Sequence, residues 1–219
     1  MFSYLKKKYL LLFLAGLLFS FCKPGKPLIV VLCVGDSITD SSYPDYLEDI
    51  LISQGIKVRV WNYGRNGNTS GEYLKFLRLN KDWLKEKHPN FILLQLGTND
   101  VRIDTDFTPA DKFYQNMKEI IKIFREFEDP NRKKSKILIA TILPVPNNVG
   151  FPFSEKSRER VRNEINPLIK KIAEEENLPL VDNYSIFIKN PEYLPGIHPS
   201  EEGYRTLAES WYQKLEEMI

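Results

Sequence analysis

The sequence has few of the residues that bind metals or form cross-links, with two histidines and two cysteines among 219 residues. These four residues form no cluster with the spacing of metal ligands, and one cysteine pair is no disulfide framework. We therefore expect neither a metal nor another cofactor, and a fold that depends on its apolar core.

Strong charge of one sign is absent as well. The 31 basic and 29 acidic residues leave a formal net charge of +2, so no strong field favours nucleic acid and we expect none as a partner. The sequence shows no internal repeat and no low-complexity segment. Its 219 residues are enough for one domain with a sizeable core but few for two, and we expect a monomer.

An apolar run long enough to span a bilayer is also lacking, although a shorter one lies near the N-terminus. The triplet Lys6-Lys7-Lys8 precedes the mainly apolar stretch 9–21, which is too short to cross about 30 Å of hydrocarbon comfortably but is typical of a secretory signal. We therefore predict a signal peptide over residues 1–22 and export to the periplasm or the cell surface. Cys22 follows the apolar run as the lipidated cysteine of a lipoprotein signal does, which would attach the protein to a membrane. An uncleaved or differently cleaved signal and an incidental cysteine stay open, because Phe21 is larger than the residue that usually precedes cleavage.

After a short linker at 23–27, one domain over 28–219 alternates strand-like apolar runs with helical runs. We predict strands at 28–33, 57–63, 91–96, 136–141 and 178–182, and helices at 46–55, 70–87, 110–127, 154–176 and from 201 onward. This alternation predicts an α/β fold, with a five-stranded parallel sheet between two helical layers. Right-handed crossovers place the strand-to-helix loops at the carboxyl edge of that sheet, where we expect the functional residues. Cys33, in the first strand, is expected to be a small buried side chain.

The first strand ends in a glycine followed by small polar residues, among them Ser37. From its position alone, Ser37 could be a nucleophile, a phosphate ligand or the N-cap of the next helix. A nucleophilic serine needs a general base, and the chain offers two histidines. His88 precedes the third strand and so lies at the amino edge, roughly 20 Å away for a strand of about six residues at ~3.3 Å each. His198 follows the fifth strand at the carboxyl edge and is the remaining candidate base.

Hydrogen-bond donors for the oxyanion of an acyl transfer are available at the same edge. The backbone N–H groups of Ser37 and Gly67 and the side-chain amide of Asn99 come from the loops after the first three strands. A phosphate-binding loop of a flavin-binding protein is less favoured, because the carboxylates of Asp36 and Asp40 would repel phosphate.

Four short motifs at these loop positions together resemble the SGNH (GDSL-type) hydrolases. In family order they are Gly35-Asp36-Ser37-Ile38, Gly67 within Asn66-Gly67-Asn68-Thr69, Gly97-Thr98-Asn99-Asp100, and His198-Pro199. The resemblance covers about residues 28–218 and implies a flavodoxin-like three-layer α/β/α fold. It also implies Ser37 as nucleophile, His198 as base, and an oxyanion hole formed by Ser37, Gly67 and Asn99. Activities in this family include esterase, lysophospholipase, thioesterase and carbohydrate deacetylase, without a metal.

One position departs from the family pattern. Members usually carry an aspartate three residues before the histidine, where this chain has Pro195. A Ser37–His198 dyad, a surrogate carboxylate from Asp182 or Glu192, a backbone carbonyl that orients the ring, and a weak or inactive site all stay open. The non-enzymatic alternative is a membrane-anchored binding or envelope protein with a vestigial site.

The substrate expected from these residues is an acyl ester. The sequence does not choose between an O-acetylated carbohydrate and a lysophospholipid-like lipid. The entrance is expected to be lined by the proline- and asparagine-rich loop 144–153 together with Tyr43, Arg65 and Asn68.

Overall fold

The computed structural model describes residues 28–219, so the predicted signal peptide, Cys22 and the linker lie outside the described residues. The strands are β1 (Ile29–Gly35), β2 (Val58–Gly64), β3 (Phe91–Gln95), β4 (Lys136–Ala140) and β5 (Leu180–Val181). The helices are α1 (Tyr43–Ser53), α2 (Ser70–Lys85), α3 (Ala110–Phe124), α4 (Glu155–Arg160), α5 (Asn166–Glu175), α6 (Asn183–Lys189) and α7 (Glu201–Glu216). Short 3₁₀ turns lie at Asn99–Val101 and Pro191–Tyr193, and a π-helical turn at Val161–Ile165 joins α4 to α5. Within residues 28–219, no helix combines the length and apolar character needed to cross a membrane.

The five strands form one parallel sheet in the order β2-β1-β3-β4-β5. This confirms the predicted five-stranded parallel sheet, and the order is the flavodoxin-like one. The order reverses between β1 and β3, and ligands of open α/β sheets bind in the crevice at the carboxyl ends of the strands beside such a reversal. Ser37 follows β1 and Asn99 follows β3, so both residues lie at this crevice.

The two central strands are apolar along their length because helices cover both faces of the sheet. All of β3 is buried, and β1 is buried except at Ile29. On one face, Leu32 and Val34 of β1 belong to the core formed with α2, α3 and α5. On the other face, Val31 and Cys33 belong to the core formed with α1 and α7. Cys33 is a free and fully buried thiol, as expected, and its burial raises its pKa well above the ordinary value.

Two helical features differ from the sequence prediction. The helix expected over 154–176 is interrupted by the π turn, which ends where Pro167 enters the second position of α5. Proline has no N–H and its ring crowds the preceding turn, and the wider π turn accommodates this. Helix α6 was not predicted, because only seven residues form it; the Asp182 side chain caps it by accepting a hydrogen bond from the Ser185 N–H at 3.3 Å.

Candidate active site

Ser37 lies in a tight turn directly after β1, and glycine at position 35 makes this turn possible. A Cβ at Gly35 would lie 2.0 Å from Thr39 Oγ1, so no larger residue fits there. The turn is closed by Asp36, whose Oδ1 accepts a hydrogen bond from the Ile38 N–H at 3.0 Å. These contacts leave Ser37 half-buried at the carboxyl edge of the sheet.

His198 reaches Ser37 because α7 packs beside α1. Both helices begin at the carboxyl edge, so the loop before α7 lies next to the loop before α1. His198 Nε2 and Ser37 Oγ are 2.8 Å apart, which is a hydrogen-bond distance. His198 is exposed, so this pair is accessible from solvent. The structure therefore brings together the serine and the histidine that the sequence singled out.

No carboxylate replaces the missing family aspartate within residues 28–219. The hydrogen bond to Ser37 is the only one that His198 makes to a described residue. The Asp182 carboxylate is engaged elsewhere, by Thr141 Oγ1, Lys170 Nζ and Ser185 Oγ. Glu192 is exposed on a 3₁₀ turn and makes no hydrogen bond to the imidazole. The geometry thus does not support either surrogate carboxylate.

The loop that carries His198 is held instead through its backbone. The Tyr193 carbonyl accepts hydrogen bonds from the Ser200 N–H at 2.9 Å and the Ser200 hydroxyl at 3.3 Å. The Pro195 carbonyl accepts a hydrogen bond from Asn148 Nδ2 at 2.8 Å, which joins this loop to the one after β4. Contacts on both sides of the histidine therefore fix the path of the chain, while the second ring nitrogen has no partner among the described residues.

Gly67 and Asn99 present hydrogen-bond donors at the same edge. Gly67 has a φ of 75°, which favours glycine, and its N–H, like that of Ser37, has no acceptor among the described residues. Asn99 is 7% exposed, and its Nδ2 donates to the Asn68 carbonyl at 3.0 Å. Because an amide nitrogen carries two hydrogens, the second one stays available to a ligand. The Asn68–Asn99 contact also joins the Gly67 loop to the loop after β3.

A buried polar network, which the sequence analysis missed, holds the segment that carries Asn99. The carboxylate of the next residue, Asp100, accepts hydrogen bonds from the Ser70 hydroxyl at 2.6 Å and the Ser70 N–H at 2.9 Å. Asn116 donates to the same hydroxyl at 3.0 Å, and Arg160 donates to the Asp100 carbonyl at 2.7 Å. Burial raises the pKa of Asp100 above its ordinary value. Asp100 was visible as part of a motif, but Arg160 is one of many charges in its helix and carried no distinguishing signal.

The predicted entrance is correct only in part. Tyr43 is fully buried at the start of α1, so its placement at the entrance was wrong. Arg65 is exposed and its guanidinium lies 4.0 Å from the centre of the Phe76 ring. The loop 144–153 borders a groove of about 470 Å³ that it shares with the His198 loop. The lining is mainly apolar and contains four prolines, two asparagines and four further apolar residues: Pro144, Pro146, Pro191, Pro195, Asn147, Asn148, Val145, Phe187, Ile188 and Leu194.

Asp36 is a buried carboxyl group beneath the serine turn. It is 2% exposed, and its Oδ2 has no hydrogen-bond partner among the described residues. Burial raises the pKa of Asp36 to about 6; the charge of Asp100 adds to the increase, while the hydrogen bond from the Ile38 N–H opposes it. Ionisation of Asp36 therefore costs the folded state more free energy than the unfolded state.

This raised pKa predicts how Asp36→Asn changes stability with pH. Below about pH 3 the carboxyl is protonated in both states, and above about pH 7 it is ionised in both, so the folded protein loses roughly 3 kcal/mol across that window. Asparagine cannot ionise, and its amide oxygen can still accept the hydrogen bond from Ile38. Relative to wild type, we expect the free energy of unfolding of Asp36→Asn to rise by about 3 kcal/mol between pH 3 and pH 7, measured by urea denaturation. Asp40→Asn removes an exposed carboxylate from the same turn and is the control; a pH-independent difference for Asp36→Asn would contradict the argument.

The fold and the loops at its crevice together define a class of protein. A flavodoxin-like sheet with a serine after β1, an asparagine after β3 and a histidine before the last helix is the arrangement of the SGNH hydrolases. The chain belongs to the GDSL-like lipase/acylhydrolase family, whose sequence model matches residues 33–206. This confirms the family that the four motifs indicated, which is a family of carboxylic ester hydrolases.

Individual relatives agree with this assignment. An acetylxylan esterase of Xylanibacter ruminicola is 28% identical over 215 residues, covering 85% of this chain and 43% of that protein. An uncharacterized lipoprotein of Bacillus subtilis is 25% identical over 208 residues, covering 84% of this chain and 82% of the relative. The crystal structure of a lipase/acylhydrolase from Enterococcus faecalis matches with a TM-score of 0.70 at 25% identity, covering 86% of this chain and 96% of that one. This chain spans less than half the length of the esterases among the curated relatives.

Proposed function

We propose that the protein is a serine esterase that hydrolyses acyl esters through an acyl-enzyme on Ser37. The observation that carries this proposal is the 2.8 Å contact between Ser37 Oγ and His198 Nε2. Ser37 Oγ attacks the acyl carbonyl carbon while its proton passes to His198 Nε2. The ester C–O bond then breaks, and His198 returns the proton to the departing alcohol oxygen. Water repeats these steps on the acyl-serine, which releases the carboxylic acid and restores the hydroxyl.

The charge that develops on the carbonyl oxygen would be stabilised by donors from three loops. These donors are the N–H groups of Ser37 and Gly67 and the side-chain amide of Asn99. Two observations support them: both N–H groups lack an acceptor among the described residues, and Asn99 is fixed by its bond to Asn68. Donors that are already oriented need no reorganisation when charge develops, which is why each contributes about 3–4 kcal/mol in comparable sites.

An O-acetylated carbohydrate is the substrate class that we favour over a lysophospholipid. The acetylxylan esterase among the relatives supports this choice. The exposure of His198 also supports it, because the catalytic pair is open enough for a bulky polymer to approach. The groove beside the His198 loop adds a third argument, since its proline rings and the Asn147 and Asn148 amides can contact the faces and hydroxyl groups of a sugar.

The experiment that tests this proposal is a panel of esters given to the purified protein. We expect kcat/KM for an acetyl ester to exceed that for an octanoyl ester by at least about tenfold, since chain-length preferences of this order arise from a few methylene groups. We also expect acetate release from acetylated xylo-oligosaccharides and no fatty acid release from lysophosphatidylcholine. Fatty acid release would favour the lipid alternative. No hydrolysis of any ester would favour the alternative of a binding protein with a vestigial site, which the proline at position 195 suggests.

We further propose that the protein is exported and held at a membrane through lipidated Cys22. The sequence of residues 1–22 and the Bacillus subtilis relative, which bears the name lipoprotein, support this location. A membrane attachment point six residues before Leu28 would keep the domain close to the bilayer surface.

A further inference from the structure

An exposed aromatic surface lies at one side of the sheet, where β2 is the outer strand and α2 packs partly over it. Trp61 of β2 is 38% exposed, Trp83 of α2 is 46% exposed, and Leu79 of α2 is 85% exposed. Leu79 and Trp83 are four residues apart in one helix and therefore share a face. We call these three residues, together with Arg59 and Lys87, the tryptophan patch. The chain has three tryptophans, and the third, Trp211, is fully buried.

The geometry of the tryptophan patch combines aromatic rings with positive charge. Lys87 Nζ lies 5.0 Å from the ring centre of Trp61 and 4.9 Å from that of Trp83. The Arg59 guanidinium lies 5.9 Å from the Trp61 ring centre, and its Nε lies 3.9 Å from the Glu48 carboxylate, which balances part of its charge. Trp83 is also held in an edge-to-face contact with Tyr63, with ring centres 5.3 Å apart. The two indoles are thus fixed in position beside two cations, although a large part of each ring faces solvent.

The tryptophan patch lies near the point where the preceding 27 residues join the domain. Ile29 pairs with Val58 at the start of β1 and β2, and the Ile29 N–H donates to the Lys57 carbonyl at 2.9 Å. Arg59 is the next residue after Val58, and Lys87 follows the end of α2 at this amino edge. Leu28, the first described residue, is itself 45% exposed. Trp61 itself pairs with Leu32 in the middle of β1, so the carboxyl end of β1, from which Ser37 emerges, lies about 10 Å beyond Trp61.

We propose that the tryptophan patch docks the domain onto the surface of a bilayer that contains anionic lipid. Tryptophan favours the interface between headgroups and hydrocarbon, and lysine and arginine favour anionic headgroups. A membrane-attached N-terminal segment would bring the amino edge to that surface. Because β2 is the outer strand of the sheet and Trp61 lies near its middle, this contact leaves the carboxyl edge, with Ser37 and His198, open to solvent beside the membrane. Docking in this orientation suits a substrate that lies outside the bilayer, in agreement with the carbohydrate class favoured above.

Tryptophan fluorescence of the full chain in vesicles tests this proposal, because residues 1–27 contain no tryptophan. Vesicles of phosphatidylcholine with brominated acyl chains, with and without phosphatidylglycerol, provide the probe. We expect strong quenching only when phosphatidylglycerol is present. The variant Trp61→Phe/Trp83→Phe keeps Trp211 alone, and its emission should be insensitive to the brominated lipid. Ester hydrolysis by each variant reports that the fold is intact, since no residue of the patch belongs to the catalytic machinery.

Removing positive charge from the patch distinguishes docking of the patch onto the lipid from mere closeness to the membrane through the anchor. In Lys87→Gln the anchor is unchanged, but the ratio of docked to undocked domain should fall about fivefold, because a cation near an anionic surface is worth ~1 kcal/mol and Arg59 is already paired with Glu48. Equal quenching in vesicles with and without phosphatidylglycerol would overturn the proposal. Self-association in sedimentation velocity that is lost in Trp61→Phe/Trp83→Phe would overturn it too, and would assign the patch to a second copy. A change of tryptophan emission on adding xylo-oligosaccharide without lipid would instead assign it to carbohydrate.

Discussion

Replacement of Ser37 by alanine is expected to lower kcat for a short acyl ester by about 10⁴-fold or more, which corresponds to roughly 5–6 kcal/mol of activation free energy. The reason is that alanine removes the oxygen that forms the covalent bond with the acyl group in the proposed mechanism. Initial rates with p-nitrophenyl acetate measure the effect, and a burst of p-nitrophenol in the wild type alone would show the acyl-enzyme.

Ser42→Ala is the matched control for Ser37→Ala. Ser42 lies five positions further along the same segment, at the N-cap of α1, where its side chain forms no capping hydrogen bond. Its loss therefore removes a hydroxyl of the same kind without touching the serine–histidine pair, and we expect wild-type kinetics. If Ser37→Ala hydrolyses the ester as fast as wild type, Ser37 is excluded as the nucleophile. This holds whether Ser42→Ala is slow or also matches wild type.

The positions of Ser37 and His198 at the carboxyl edge could be predicted from the sequence, because each residue follows a recognisable strand. An apolar run that ends in glycine fixes the edge at which Ser37 emerges, and parallel strands put every such loop at one edge. With two histidines in the chain, their places before and after a strand were enough to separate His198 from His88. The structure agrees, since His88 lies between α2 and β3 at the amino edge.

The parts that could not be predicted depend on how distant segments pack. Tyr43 follows the serine turn in sequence, but its ring points into the core beneath α1 because that face of the helix is the buried one. Arg160 donates to the carbonyl of Asp100, sixty residues earlier, and no local pattern records such a contact. The hydrogen bond from Asn148 to Pro195 also joins two loops that are separated in sequence.

The position of the missing aspartate, now Pro195, takes part in the hydrogen bond from Asn148. In a triad, the acid fixes the tautomer and the orientation of the ring. Here the ring itself has no such partner among the described residues, but the Tyr193 and Pro195 carbonyls hold the loop on the amino side of the histidine, and Ser200 caps α7 directly after it. These backbone hydrogen bonds hold the segment that carries His198, while no carboxylate among residues 28–219 orients the ring.

His198→Ala is expected to reduce kcat for p-nitrophenyl acetate by about 10⁴-fold, close to the effect of Ser37→Ala, because two residues that act as a unit have non-additive effects. Imidazole added to the solution should restore part of the rate, since the exposed position of His198 leaves an open path to Ser37 Oγ. Ser37→Ala should show no such rescue, because a base cannot replace the atom that attacks.

His88→Asn is the control for His198→Ala. His88 has a φ of 48°, which asparagine tolerates, and it lies at the opposite edge, so the rate of this variant should match wild type. A large loss in His88→Asn, or wild-type activity in His198→Ala, would contradict the assignment of His198 as the base.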